Sequence, residues 1–154
     1  PNMKTIVACV LLALASSAAA NNLVDSVRSC GADIPLPTEI YVDDCPSLPC
    51  EVKNGDTVYF TMVFTPPRDS ETLVARPYMV FGPLEVPFPL EDPDACKGLL
   101  DSKCPVEAGN PVTYRLGITV DAPIVGVTID IMFILEDSSG KAAVCYKYAQ
   151  SVSE

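Results

Sequence analysis

Lys53-Asn54-Gly55-Asp56-Thr57-Val58-Tyr59-Phe60-Thr61-Met62-Val63-Phe64-Thr65 carries the clearest local signal in this chain. Asn-Gly is the pair that tight hairpin turns favour, because both central positions of the turn need positive φ. Beyond it, Val58, Phe60, Met62 and Phe64 fall at every second position. A strand places such residues on one face, so 57–65 is predicted to be a strand with one buried side.

The pattern repeats outward from this run. Residues 39–42 and 73–81 are short β-like stretches bounded by turn residues. In 112–120, Val112, Tyr114, Leu116, Ile118 and Val120 share a face. Pro123 opens the longest apolar run, with Val125, Val127, Ile129, Ile131 and Phe133 in step. Asp137-Ser138-Ser139-Gly140 then turns the chain into a last strand at 142–149. Fifteen prolines spread along the sequence oppose long helices. The one candidate helix is short, at 22–29. About seven strands with frequent turns predict an all-β sandwich of two sheets.

The chain has 154 residues, room for one domain, and 49% hydrophobic residues, enough for a core. Its formal charge of −10 argues against nucleic acid and against docking on anionic membranes. Met3 and Lys4 begin a short basic region, 6–15 is apolar, and 16–20 is small throughout. Residues 1–20 therefore read as a leader with a secretory signal peptide, removed to leave a domain at 21–154.

Of seven cysteines, Cys9 falls in that leader. The other six, Cys30, Cys45, Cys50, Cys96, Cys104 and Cys145, read as three disulfides in an exported protein. Six cysteines allow 15 pairings. Short spacing favours Cys45–Cys50 and Cys96–Cys104, which leaves Cys30–Cys145.

Little here suggests catalysis. Histidine is absent, which removes the usual base of serine and cysteine hydrolases and the commonest zinc ligand. Cysteines held in disulfides supply neither nucleophile nor metal cluster. Glu91, Asp92 and Asp94 flank Pro93 without the glycine of a calcium loop, and read as a polar turn before Cys96. The expectation is a protein that is not an enzyme and has no cofactor or metal.

Taken in order, Cys30, Cys45-Pro-Ser-Leu-Pro-Cys50, Val86-Pro-Phe-Pro-Leu-Glu-Asp-Pro-Asp-Ala-Cys96, Cys104-Pro105 and Cys145 make the chain resemble the Niemann-Pick type C-two (epididymal secretory) proteins. These belong to the MD-two-related lipid-recognition, or ML, domains. The resemblance implies an immunoglobulin-like sandwich of two antiparallel sheets. It also implies the pairings Cys30–Cys145, Cys45–Cys50 and Cys96–Cys104. The implied function is carriage of a sterol or fatty acid between the sheets, with transfer to membranes or to a partner. That partner would be a membrane sterol transporter of the Niemann-Pick type C-one kind. Such proteins act as monomers outside the cell or in the lysosomal lumen. The competing reading is a lipid-recognition module in innate immunity or chemical signalling.

The resemblance assigns ligand contacts to Phe88 in Val86-Pro-Phe-Pro, to Val42 before the second cysteine, and to Val120, and Val86 of the same motif is expected beside Phe88. It puts Ile124 where a mouth-guarding aromatic stands, and Phe133 where a tryptophan stands. Phe60, Met62, Phe64 and Tyr114 should face inward, with Tyr114 as the polar contact. The apolar tip 81–87 is either a docking loop or a proline-rich connection.

Overall fold

A computed structural model describes residues 21–154; the leader expected at 1–20 lies outside the described residues. Nine strands follow in order: β1 (Arg28–Ser29), β2 (Glu39–Val42), β3 (Cys50–Lys53), β4 (Thr57–Phe64), β5 (Leu73–Phe81), β6 (Leu84–Pro87), β7 (Val112–Thr119), β8 (Val127–Asp137) and β9 (Ala142–Ser153). Six form one sheet in the order β1-β9-β8-β5-β6, with β3 also against β9. The other three form a smaller sheet, β2-β4-β7. The architecture is the expected all-β sandwich.

Three local expectations are corrected. The helix at 22–29 is absent: Val24–Ser26 makes one 3-10 turn and β1 follows at once. So short a stretch cannot recover the cost of helix nucleation. The Asn54-Gly55 turn does not close a hairpin. It joins β3 to β4, which lie in different sheets, with Gly55 at φ +94°. Finally, β9 runs to Ser153 rather than 149, because β3 pairs with its last residues, Cys50 opposite Gln150 through Lys53 opposite Ser153. This pair is parallel and all others are antiparallel.

The inward faces follow from the period-two alternation. In the small sheet, Val58 lies opposite Ile118, Phe60 opposite Leu116, Met62 opposite Tyr114 and Phe64 opposite Val112. In the large sheet, Ala75, Leu135 and Val144 make one cross-strand row, then Pro77, Phe133 and Tyr146, then Met79, Ile131 and Tyr148, and last Ile129 and Gln150. Burial changes along these rows. Phe64, Leu73, Leu135 and Val144 are sealed, whereas Met79, Ile118, Ile129 and Ile131 are only half-buried. One end of the sandwich is solid and the other is not.

The cysteines pair as Cys30–Cys145, Cys45–Cys50 and Cys96–Cys104. Cys45–Cys50 ties the turn after β2, in the small sheet, to the start of β3, in the large one. The opposite edge is crossed by the segment 88–106. Its Pro93 carbonyl accepts from the Ala75 amide (2.8 Å), and its Leu100 amide donates to Thr113 (2.9 Å). That segment closes the solid end and leaves the other end to Phe88. The acidic residues at its start form a turn: Asp94 accepts from the Cys96 amide (3.1 Å) and Asp92 pairs with Lys97 (2.6 Å).

Candidate functional site

At the loosely packed end the two sheets enclose an apolar cavity. Val58, Phe60, Ile118 and Val120 line it from the small sheet and its margin; Pro77, Met79, Ile129, Ile131, Tyr148 and Val152 line it from the large sheet. Phe88 and Ala122 close its edges. The Phe88 amide donates to the Pro77 carbonyl (2.9 Å), which pins that ring at the rim of β5. The cavity has a volume of about 60 Å³.

The walls are graded. Val58, Tyr148, Gln150 and Val152 are buried, while Met79, Phe88, Ile118, Val120 and Ala122 are half-buried. The cavity is therefore closed toward β9 and opens toward the β5 and β7 edge. No lining residue carries a charge. A chain of tilted rings runs from the solid end to the cavity, which only its last two members, Tyr148 and Phe60, line: Tyr114 to Phe133 at 6.2 Å, Phe133 to Tyr146 at 5.7 Å, Tyr146 to Tyr148 at 5.9 Å and Tyr148 to Phe60 at 5.8 Å. Burial pushes the Tyr148 hydroxyl far above the ordinary tyrosine range, and Tyr146 adds to the effect, so this wall stays neutral.

The ligand residues expected from the sequence scatter along the sandwich. Phe60, Val120 and Phe88 meet at the cavity. Met62, Phe64, Tyr114 and Phe133 also point inward, but they sit in the solid end and do not line it. Val42 lines a separate crevice with Leu23, Ile40, Leu48 and Tyr146 that has no room for a water. Phe60 and Tyr148 border both spaces and stand between them. Val86 lies on edge strand β6 opposite Met79. Ile124 is 55% exposed in the loop before β8, and Ala122 takes the position at the cavity instead.

Tyr114 is not on the cavity wall; the side chains with polar groups there are Gln150, Tyr148 and Tyr78. The sequence reading ends the last strand at 149, one residue short of Gln150. The signal available was alternation alone: Val144, Tyr146, Tyr148, Gln150 and Val152 are in step.

Comparison with known proteins identifies the family and the fold. The family profile described as the ML domain matches residues 24–152. The chain is 25% identical over 138 residues to the mouse (Mus musculus) "NPC intracellular cholesterol transporter 2", covering 90% of each. It is 29% identical over 111 residues to the "Ecdysteroid-regulated 16 kDa protein" of Manduca sexta, covering 70% of this chain and 74% of that one. A crystal structure of a Niemann-Pick type C2 protein from the Japanese carpenter ant has the same fold. Its TM-score is 0.72 at 22% identity, over 82% of this chain and 98% of that one. With the profile spanning nearly all the described residues, over a two-sheet sandwich held by three disulfides, the chain belongs to the ML-domain family.

Proposed function

We propose that this protein is a soluble carrier that takes one sterol or fatty acid into the cavity between its sheets and delivers it to a membrane or a membrane partner. The coarser statement stands without the proposal: this is a lipid-binding ML domain and not an enzyme. Among the described residues no helix is long and apolar enough to cross a membrane. The reading places the protein outside the cell or in the lysosomal lumen, after loss of the leader at 1–20. Its delivery partner would be a sterol transporter of the Niemann-Pick type C-one kind.

The observation that carries the reading is the uncharged cavity itself. A sandwich ordinarily fills the space between its sheets with side chains. Here that filling stops short at one end, and a lipid would complete it. Burying ~400 Å² of ligand apolar surface would contribute on the order of 10 kcal/mol before the costs of association. A whole lipid needs more than 60 Å³, so uptake moves the sheets apart. Opening would come at the cavity end of the β5 and β7 edge, beyond the 88–106 crossing and without a disulfide between the sheets. Phe88, Val120 and Phe60 then become the first ligand contacts.

Native mass spectrometry of the purified protein, with organic extraction and displacement of a fluorescent sterol, tests this. A sterol or fatty acid should co-purify and be displaced at one per chain. Absence of any bound lipid, with no displacement by either class, would overturn the carrier reading.

A further inference from the structure

The chain contains neither tryptophan nor histidine, and the six cysteines among the described residues are all held in disulfides. The side chains there that a peroxide most readily oxidises are therefore the thioethers of Met62, Met79 and Met132. Burial separates the three. Met62 is 2% exposed in the solid end, opposite Tyr114. Met132 is 6% exposed on the outer side of β8, between Tyr78 and Lys147. Met79 alone of them is half-buried and lines the cavity, at the edge where the cavity opens. A peroxide is little larger than water, and this cavity has room for water.

From this we infer that Met79 is an oxidative modification site that controls the carrier: a peroxide converts its thioether to the sulfoxide, which loosens the hold on lipid, and reduction restores it. The inference rests on the carrier reading and adds a means of regulating the same cavity.

The step balances without help from other side chains. A lone pair on Sδ attacks one peroxide oxygen, and the S–O bond forms as the O–O bond breaks. The proton on the transferred oxygen passes to the departing hydroxide, which leaves as water. Sulfur is oxidised and the peroxide reduced by one electron pair.

The consequence follows from the wall. A thioether is apolar, flexible and polarizable, and packs against lipid as its aliphatic neighbours do. A sulfoxide oxygen is polar and calls for a donor. Beside Met79 stand Val86 on β6 and Ile131 on β8, whose side chains have none. No lysine or arginine lines the cavity, and the Gln150 amide nitrogen already donates to the Cys50 and Ser151 carbonyls, at 2.6 and 3.0 Å. In the empty cavity water satisfies the sulfoxide, and a bound lipid strips that water away. Oxidation therefore opposes the loaded state more than the empty one.

The test titrates the purified protein with dehydroergosterol and with cis-parinaric acid, a fluorescent sterol and a fluorescent fatty acid, before and after graded hydrogen peroxide. Peptide mass spectrometry should place the added oxygen at Met79 well before Met62 or Met132, and bound probe should slow that oxidation. Affinity for whichever probe binds should fall roughly tenfold as Met79 is oxidised, and methionine sulfoxide reductases should recover it. In Met79→Leu, a swap of similar volume, affinity after peroxide should stay within about twofold of the variant's own untreated value. Complete oxidation of Met79 with unchanged affinity would overturn the inference, and so would oxidation of Met62 or Met132 ahead of Met79; both are read on the unaltered protein, whether or not the variant folds. A loss on peroxide that persists in a folded Met79→Leu would overturn it too. Failure of the untreated protein to bind either probe would instead overturn the carrier reading, a separable outcome.

Discussion

The end of the sandwich that holds Phe64, Leu73, Leu135 and Val144 and the end that holds Val58, Ile118, Ile129 and Gln150 are made from the same strands. They differ in what closes them. At the first, aromatic rings interleave, the 88–106 segment crosses the edge with backbone hydrogen bonds to both sheets, and the side chains are sealed. At the second, β-branched residues face one another across a gap, and Phe88 and Ala122 close the edges. Packing at native density makes the first end the source of stability. The second gives up some of that packing and gains a place for a ligand. A fold can thus divide stability from binding along a single strand, with Leu135 serving one and Ile131, four residues earlier, serving the other.

Substitutions can break this division in turn. Replacing both Cys30 and Cys145 with alanine opens a loop spanning 115 residues and should cost about 4–5 kcal/mol on the chain-entropy model. Chemical denaturation measures it. Leu135→Ala empties a fully buried site and should cost about 2–5 kcal/mol while leaving lipid affinity of the folded fraction unchanged. Ile131→Ala should show the reverse: less than half that loss of stability, and weaker lipid binding, by parallel denaturation and displacement titrations. Phe88→Ala removes a half-buried ring from the rim and should lower lipid affinity roughly tenfold, with about 1 kcal/mol lost from stability.

The smallest effect concerns pH. Asp137 is buried at the solid end, which alone would raise its carboxyl. The Ser139 hydroxyl, the Arg68 guanidinium and the backbone amides of Lys141 and Ser139 outweigh burial and hold it below the ordinary 3.8. A lowered carboxyl stabilises the fold above its unfolded pKa and loses that contribution as pH falls through the folded value. The denaturation midpoint should therefore fall on acidification below 3.8, and Asp137→Asn should remove that part of the slope. Lipid affinity, set at the other end, should not follow it.

Much of this division could be read from alternation alone. The inward faces of β4, β7 and β8 were legible because Val58 to Phe64, Val112 to Ile118 and Ile129 to Phe133 keep step. What alternation cannot supply is position along the sandwich. Met62 and Phe60 share a face, yet one fills the solid end and the other borders the cavity, a difference set by what stands opposite on the far sheet. The four residues of β3 were missed because Cys50-Glu51-Val52-Lys53 is short and polar at two positions, and its partner is distant in sequence. Missing β3 also cut β9 short and hid Gln150. The Asn-Gly turn was placed correctly, but a turn residue does not say which sheet receives the next strand.

Methyl-resolved NMR during titration with a sterol or fatty acid tests the division most directly. Shifts and intermolecular contacts should fall on Val58, Ile118, Val120, Ile129 and Ile131, with Leu73, Leu135 and Val144 unmoved. Contacts at the solid end, or on the outer surface with the cavity methyls unmoved, would contradict it.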